Sequence, residues 1–340
     1  MQLVLAYAGM RPGGIAVDVG NLVNGLEQRG NTVAAVGSLR ELDRELARLP
    51  EALVHVFGCL PSYTTFSAMA RAKRRRRPLV WTPVFHPSRP QSWAGYGFLR
   101  VMQLFDMLAP RVARFSDAVI AATVAEAEHF LALGAPLVRL IPPGVDRLVG
   151  RLPDDDRAAF RRRFGLTDGP LVLTVARANS RKGLPFGLAA FQELRRRLPQ
   201  AQLLMVGVGS DHAAASVDGV VCAGWLEPAD VAGAYGAADL LFVSSRYEGL
   251  PRAVIEAWSH GLAVAVTDRV ALAPLVRRGA GCVVDYGAVE EAAAKLAWML
   301  RQPELLAGYG RQGMRLIEEQ FLLEDITRRT EALYGELVAR

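Results

Sequence analysis

The stretch SSRYEGLPRAVIEAWSHGLAVAV, residues 244–266, decides the fold class of this chain. The apolar run ADLLFVSS, which leads into it, is typical of a short buried strand. Pro251 fits the start of a helix, and Gly261 fits its end in the left-handed conformation. The run LAVAV then predicts a second buried strand. Strand, turn, helix and strand in this order form the repeating unit of a parallel α/β sheet.

Two carboxylates stand out in this stretch. Glu248 lies before the helix, in the loop at the carboxyl end of its strand, where open α/β sheets bind ligands. Glu256 lies at the edge of the apolar face of the helix. Two simpler interpretations stay open. Arg252 and Glu256 can form a surface ion pair, and Glu248 can interact with the positive end of the helix dipole.

The composition fits a well-packed protein of two domains. The chain has 340 residues, of which 51% are hydrophobic and 22% charged, and a net charge of +6. Cys59, Cys222 and Cys282 are far apart in apolar runs, which predicts buried thiols in a reducing compartment. The start MQLVLAYAGM lacks a basic region, and no apolar run has membrane-spanning length. We therefore expect a cytoplasmic protein.

Strands and helices alternate in two series. The first series occupies 1–150 and includes a long helical stretch from Leu99 to Phe115. The polar segment DRLVGRLPDDDRAAFRRRFGLTDGP connects it to a second series, which ends with VEEAAAKLAWML at 289–300. The remaining residues are helical. This order predicts an α/β protein with two doubly wound domains that face each other.

Several residues in loops at strand ends are candidates for binding a ligand. Gly13 and Gly14 follow the first strand and open a helix, so the backbone there can approach an anion. Arg177 and Lys182 lie in the segment RANSRKG after a strand and fit a diphosphate, although an ordinary solvated loop explains them equally well. His86 follows the strand in WTPVFHP and fits an acid, a base or a donor to a hydroxyl.

Other motifs carry less weight. The run VGVGSD lacks the third glycine of a dinucleotide fingerprint, which disfavours a nicotinamide site. His55 is predicted to be a core histidine. The acidic residues 154–156 open a helix and are a weak candidate for a metal site. The run RAKRRRR at 71–77 fits a solvated helix end. No nucleic-acid-binding motif accompanies it, and contact with anionic lipid headgroups stays an alternative.

Taken together, these features resemble the retaining glycosyltransferases of family 4, which have the GT-B fold. The segments that carry the resemblance are RPGGIAVDVG, IPPGVD, VARANSRKG and, most specifically, the Glu-x7-Glu pattern of Glu248 and Glu256. The resemblance implies two Rossmann-like domains facing across a cleft. Residues 1–150 would bind the acceptor and 151–320 the nucleotide sugar, while 321–340 would form a helix that packs back on the N-terminal domain.

The resemblance also implies roles for the residues of the opening stretch. Glu248 would hold hydroxyls of the donor sugar, beside the backbone N–H groups of Gly249 and Leu250. Glu256 would accept hydrogen bonds from the ribose of the nucleotide. A carboxylate suits both tasks, since its two oxygens can accept from a pair of hydroxyls.

By the same resemblance, Arg177 and Lys182 would neutralise the diphosphate leaving group, assisted by Gly13 and Gly14, in place of a metal ion. His86 would contact the donor sugar near the reacting carbon. No cofactor is implied. Catalysis would rest on electrostatics and positioning, and domain closure would exclude water.

The function implied is transfer of a hexose from a UDP or GDP sugar to a hydroxyl of a saccharide or lipid-linked acceptor, with retention of configuration. Cell-envelope polysaccharide or glycolipid synthesis is the expected setting. The expected location is the cytoplasm, with peripheral contact at the inner face of the plasma membrane as an alternative, and no nucleic acid partner is expected. The acceptor would dock near Trp93, Tyr96 and Phe98, unless these aromatic residues only pack their loop.

One segment departs from the family pattern. After AVAVTD the family commonly has a Gly-Gly turn and a glutamate, whereas this chain reads RVALAPLV. We therefore expect the donor contacts near 269–275 to differ. Two other functions stay open: a catalytically degenerate partner that binds nucleotide sugars, and a nucleotide-sugar epimerase of the same fold.

Overall fold

The structure is a computed structural model that describes residues 1–7, 14–58, 62–83 and 110–340. Its strands are β1 (Gln2–Ala6), β2 (Thr32–Val36), β3 (Leu53–Phe57), β4 (Leu79–Thr82), β5 (Ala118–Ala121), β6 (Val138–Leu140), β7 (Leu171–Val175), β8 (Gln202–Val206), β9 (Val220–Gly224), β10 (Leu240–Val243), β11 (Ala263–Thr267) and β12 (Gly281–Val284).

The helices follow the predicted alternation. They are α1 (Gly14–Gln28), α2 (Leu39–Arg48), α3 (Tyr63–Arg74), α4 (Val124–Ala132), α5 (Asp154–Arg163), α6 (Leu184–Arg197), α7 (Pro228–Ala237), α8 (Arg252–Ser259), α9 (Ala273–Val276), α10 (Val289–Leu300), α11 (Pro303–Gln320) and α12 (Leu323–Val338). Residues 110–115 are also helical and are the described part of the helix predicted from Leu99 to Phe115.

The chain divides into two compact units. The first unit comprises Met1–Asp146 together with Phe321–Arg340, and the second unit comprises Arg147–Gln320. The last helix of the chain, α12, therefore belongs to the same unit as the first strand.

The first unit is built on a parallel sheet with the order β2-β1-β3-β4-β5-β6. Successive residues of β1 point to opposite faces, as the pleat requires. Leu3 and Leu5 share one buried cluster with α1 and α12, whereas Val4 and Ala6 share another with α2, α3 and α4. The sheet is therefore covered on both faces, and α12 supplies part of one cover.

Gly25 on α1 allows α12 to approach closely. A Cβ atom at this position would lie 2.6 Å from Thr327 Oγ1 on α12. A larger residue would therefore require the Thr327 side chain, or the helix that carries it, to shift.

His55 is a core histidine, as predicted, and it joins α12 to the first sheet. The residue is 1% exposed in the middle of β3. Its Nδ1 lies 2.6 Å from the Tyr334 hydroxyl oxygen, and its Nε2 lies 2.7 Å from Thr82 Oγ1. Burial lowers the pKa of His55 to about 3, because the charged imidazolium would lose its hydration. The imidazole is therefore neutral at physiological pH.

The second unit is built on a parallel sheet with the order β12-β11-β10-β7-β8-β9. The chain starts in the middle at β7, builds outward through β8 and β9, and then returns to the other side of β7 with β10. Adjacent strands β7 and β10 therefore form the topological switch point, the place where doubly wound sheets bind ligands at the carboxyl ends of their strands.

The opening stretch folds as the predicted strand, turn, helix and strand. Pro251 is the N-cap of α8 rather than its first helical residue, and Gly261 takes the left-handed conformation with φ +64°. The prediction of buried cysteines was wrong for Cys222 and Cys282, which are only half-buried. They lie on β9 and β12, the two edge strands of the second sheet, where one side has no neighbouring strand. Cys59 lies outside the described residues.

Candidate functional site

The loop after β7 is shaped to approach the end of β10. Residues Ser180–Lys182 form a short 3-10 turn, and Gly183 follows it with φ +59°, a conformation that favours glycine. A Cβ atom at Gly183 would overlap the carbonyl oxygen of Ser244. Only glycine at this point lets the two loops pack so closely.

Hydrogen bonds fix the two loops to each other. The buried Ser244 hydroxyl donates to the carbonyl of Lys182 at 3.0 Å, and the Arg246 amide donates to the carbonyl of Arg181 at 2.7 Å. The backbone that carries the side chains of these loops is therefore held in place at the switch point.

Lys182 and Glu248, both predicted site residues, come into direct contact across the switch point. Lys182 Nζ donates a hydrogen bond to Glu248 Oε1, and Ser245 Oγ donates to Glu248 Oε2 at 2.7 Å. The side chains of Lys182 and Glu248 are 21% and 22% exposed, so the ion pair is partly withdrawn from water. An interaction of Glu248 with the helix dipole does not by itself account for the ion pair with Lys182.

The backbone of Glu248 is held by the segment that departs from the family pattern. Its amide donates to the carbonyl of Arg269 at 3.3 Å, and its carbonyl accepts from the amide of Ala271 at 2.7 Å. Thr267 Oγ1 supports the same loop by donating to the carbonyl of Ser245 at 2.6 Å. These contacts could not be predicted from the sequence, because almost every residue type has the same main-chain donor and acceptor.

Gly249 and Leu250 follow Glu248 in the same half-buried turn. Their backbone N–H groups have no hydrogen-bond partner among the residues that the structure describes. The turn can thus offer two donors beside the Glu248 carboxylate.

Glu256 is held by two partners. Arg252 Nε donates to Glu256 Oε1 at 2.8 Å, so the predicted ion pair on α8 does form. The Tyr235 hydroxyl donates to Glu256 Oε2, also at 2.8 Å. Tyr235 is 1% exposed and its ring stacks on His260, and burial raises the pKa of its hydroxyl. Sequence reasoning missed Tyr235. Its one signal was a tyrosine within the small-residue helix DVAGAYGAA.

Arg177 lies in the loop after β7 with its guanidinium over the indole of Trp225, 5.4 Å from the ring centre. Trp225 follows β9 and is 70% exposed. Such a cation–π contact orients the guanidinium. Trp225 was also missed by sequence reasoning.

The remaining predicted residues divide between the first unit and the undescribed ranges. Gly14 is the first residue of α1 and is exposed. Gly13, His86 and the aromatic residues at 93, 96 and 98 lie outside the described residues.

The structure also bears on metal and membrane contacts. Within the described ranges, histidine, cysteine and acidic side chains form no group of three that could hold a metal ion. The acidic residues 154–156 occupy the first turn of α5, where they interact favourably with the helix dipole. Among the described helices, none combines the length and apolar character needed to cross a bilayer.

Two family models match the chain. The model described as a glycosyl transferase 4-like domain matches residues 9–144, and that described as glycosyl transferases group 1 matches residues 169–302. The chain belongs to glycosyltransferase family 4. The match to the second model includes Arg177, Lys182, Glu248 and Glu256.

The chain is also similar to a curated relative, and it shares its fold with two solved structures. The D-inositol 3-phosphate glycosyltransferase of Segniliparus rotundus is 33% identical over 226 residues, 58% of this chain, and the match spans about half of that relative's length (48%). The sucrose-phosphate synthase of Thermosynechococcus elongatus superposes with a TM-score of 0.78 at 20% identity, covering 99% of both chains. Anabaena HepE in complex with UDP gives 0.75 at 18% identity, covering 99% of this chain and 100% of that one. The structural likenesses establish the GT-B fold.

Proposed function

We propose that this family 4 glycosyltransferase transfers a hexose from a UDP or GDP sugar to a hydroxyl of a saccharide or lipid-linked acceptor, with retention of configuration and without a metal ion. The observation that carries the proposal is the contact of Lys182 with Glu248 at the switch point of the second sheet. It sets a cation suited to phosphate beside a carboxylate suited to hydroxyls.

Lys182 and Arg177 neutralise the diphosphate leaving group. Lys182 acts as a compact point charge, while Arg177 offers a planar set of donors that Trp225 orients. Since the charge on the diphosphate grows as the glycosidic bond breaks, both cations stabilise the transition state more than the ground state.

The acidic residues recognise hydroxyl pairs. Glu248 accepts from the donor sugar, beside the donors of Gly249 and Leu250. Glu256 accepts from the ribose, and Tyr235 and Arg252 hold its carboxylate in place. Neither carboxylate acts as a nucleophile.

The reaction proceeds on one face of the sugar. The bond between the anomeric carbon and the diphosphate oxygen breaks, and the acceptor oxygen bonds to that carbon on the same face. The acceptor proton passes to an oxygen of the departing diphosphate, so no protein base is required. The chain contributes positioning and electrostatic stabilisation.

Peripheral contact with an anionic membrane is part of the proposal, because it would bring the enzyme to a lipid-linked acceptor in cell-envelope synthesis. The basic end of α3 supports it. Ion pairs compensate some of this charge, as between Arg71 and Asp43 at 3.0 Å, but Arg74 and Arg76 are exposed. Exposed arginine clusters attract anionic headgroups.

Calorimetry in EDTA tests the proposal. UDP or GDP should bind to the wild type without metal, NAD should not, and Glu256→Ala should lose the binding. Glu291→Ala is a matched control, because Glu291 also pairs with a cation four residues away on a helix of the second unit, Lys295 at 2.5 Å. Binding of NAD alone, or of no nucleotide, would contradict the proposal.

A further inference from the structure

We propose that Glu248 makes the enzyme distinguish the intact sugar nucleotide from the spent nucleoside diphosphate, by competing with the diphosphate for Lys182. This inference rests on the function proposed above for the same site. It assigns Glu248 a second task besides holding the sugar, namely control of which nucleotide species the site retains.

The competition follows from how Lys182 is engaged. Its ammonium group donates to Glu248 Oε1, and its backbone carbonyl accepts from Ser244. An anion that binds Lys182 must therefore weaken or replace an ion pair that is partly withdrawn from water. Such a pair is stronger than a fully hydrated surface pair, so the competition is significant.

A nucleoside diphosphate leaves Glu248 poorly satisfied. Once Lys182 turns to the diphosphate, Ser245 remains the one described side chain that donates to the Glu248 carboxylate. The backbone of Glu248 is fixed by Arg269 and Ala271, so the carboxylate stays close to the incoming negative charge. A half-buried carboxylate with few donors beside another anion is unfavourable.

An intact donor supplies the hydrogen-bond donors that the Glu248 carboxylate lacks beside a nucleoside diphosphate. Its sugar hydroxyls donate to Glu248 while its diphosphate takes Lys182, so the two halves of the ion pair each gain a new partner. After transfer the hexose departs, and Ser245 is again the one described side chain that donates to Glu248. Glu248 then competes for Lys182, which favours release of the spent nucleotide and the binding of a fresh donor.

Calorimetry on the full chain tests the inference with four probes: UDP, GDP, UDP-glucose and GDP-mannose. In Glu248→Gln the competing charge is gone, while the amide can still hydrogen-bond to hydroxyls. We expect the variant to bind UDP or GDP about tenfold more tightly than the wild type, without a gain for the sugar nucleotide. Glu291→Gln, which disrupts the Lys295 pair on α10, should change neither affinity.

A second variant should have the opposite effect on the preference between the nucleoside diphosphate and the sugar nucleotide. Ser245→Ala removes the remaining donor to Glu248 Oε2, so it should weaken binding of UDP or GDP more than binding of the sugar nucleotide. This variant keeps the Lys182–Glu248 pair and is informative even where Glu248→Gln fails to fold, which thermal melting would show.

The outcomes separate the inference from the proposed function. If wild type binds a sugar nucleotide but Glu248→Gln only loses affinity for it, with no gain for UDP or GDP, the competition is refuted and the sugar-binding role stands. Equal weakening of both species by Ser245→Ala also refutes it. If wild type binds none of the four probes, the proposed function is itself wrong and the inference fails with it.

Discussion

At the scale of single residues, the candidate site depends on side chains whose neighbours hold them in one orientation. Glu256 is the clearest case. Its carboxylate is bound by Arg252 from its own helix and by the buried hydroxyl of Tyr235 from α7. The second contact gives Glu256 a fixed orientation that a single pair on one helix would not.

We predict that Tyr235→Phe weakens both folding and nucleotide binding. The change keeps the ring that stacks on His260 but removes one hydrogen bond to a charged group. The free energy of unfolding should fall by about 1 kcal/mol, and UDP or GDP should bind about fivefold more weakly. Urea unfolding and calorimetry measure the two effects.

Tyr309→Phe is the matched control for this prediction. Tyr309 is half-buried in the same unit, and its hydroxyl has no hydrogen-bond partner within the described part of the chain. Its removal should leave binding unchanged. Wild-type nucleotide affinity in Tyr235→Phe would show that Tyr235 does not position Glu256.

A second prediction concerns the glycine between the two loops of the switch point. In Gly183→Ala the new methyl group overlaps the carbonyl of Ser244 and the residue also needs a positive φ. Unfolding free energy should fall by at least about 2 kcal/mol, and nucleotide binding should weaken as Lys182 shifts.

The control for this change is Gly165→Ala. Gly165 has a similar φ of +67° but no heavy atom within 4 Å of the position of its Cβ. Gly165→Ala should lower the free energy of unfolding by only about 1 kcal/mol, which is the cost of the positive φ without the steric overlap. Nucleotide binding should be unchanged. Equal losses in the two variants would mean that the close approach of the loops has no energetic importance.

The sequence identified the chemistry of individual residues better than their partners. Glu248 and Lys182 stood out because they follow strands and belong to a family pattern. Their contact could not be read from the sequence, since it requires β7 and β10 to be neighbours, and 64 residues separate Val175 at the end of β7 from Leu240 at the start of β10. Tyr235 was missed for the same reason, because a tyrosine in a small-residue helix gives no sign of what its hydroxyl will meet.

At the scale of elements, α12 is an integral part of the first unit rather than a terminal extension. It packs on α1 at Gly25, and its Tyr334 meets the buried His55 of β3. The neutral state of His55 is therefore coupled to the packing of the whole helix.

We predict that His55 destabilises the first unit as the pH falls. The pKa of its imidazole is 6.5 in ordinary surroundings and about 3 when folded. Below pH 6.5 the unfolded chain binds a proton that the folded chain does not, so stability falls as the pH is lowered through this window. Relative to His55→Gln, wild type should lose about 1 kcal/mol per pH unit between pH 6 and pH 4 in urea titrations.

The comparison with the variant is needed because Glu126 has the opposite effect in the same unit. Burial raises the pKa of its carboxyl to about 7, so the folded chain retains a proton that the unfolded chain releases. The contribution of Glu126 to the free energy of unfolding is present at low pH and is lost as the pH rises through 7. A wild-type pH slope identical to that of His55→Gln would contradict the assignment of a neutral, buried His55.

Element types were predictable where the hydrophobic pattern was clear, as in the strand–turn–helix–strand of residues 240–267. Strand order was not, because alternation of strands and helices does not say on which side of a sheet each new strand adds. The wrong prediction that Cys222 and Cys282 are buried follows from the unknown strand order. An apolar run gives the same signal in a central strand and in the edge strands β9 and β12.

At the scale of the whole molecule, the two units have the same architecture and separate roles in the proposed function. Each has a six-stranded parallel sheet with helices, and the chain returns to the first unit with α12. The described candidate residues for donor binding, apart from Gly14, lie in the second unit. The acceptor residues proposed from the sequence, at 93, 96 and 98, lie outside the described ranges, so the first unit's role stays a prediction.

In the proposed function, Lys182 and Glu248 form the donor site of an active transferase. The most direct test is release of UDP or GDP from UDP-glucose and GDP-mannose, in EDTA, with a panel of saccharide and lipid-linked acceptors. Wild type should turn over one donor with at least one acceptor, Glu248→Ala should lose that turnover, and Glu291→Ala should retain it. Turnover at the wild-type rate by Glu248→Ala would refute the assignment of this site, and donor binding without any wild-type turnover would favour the catalytically degenerate alternative.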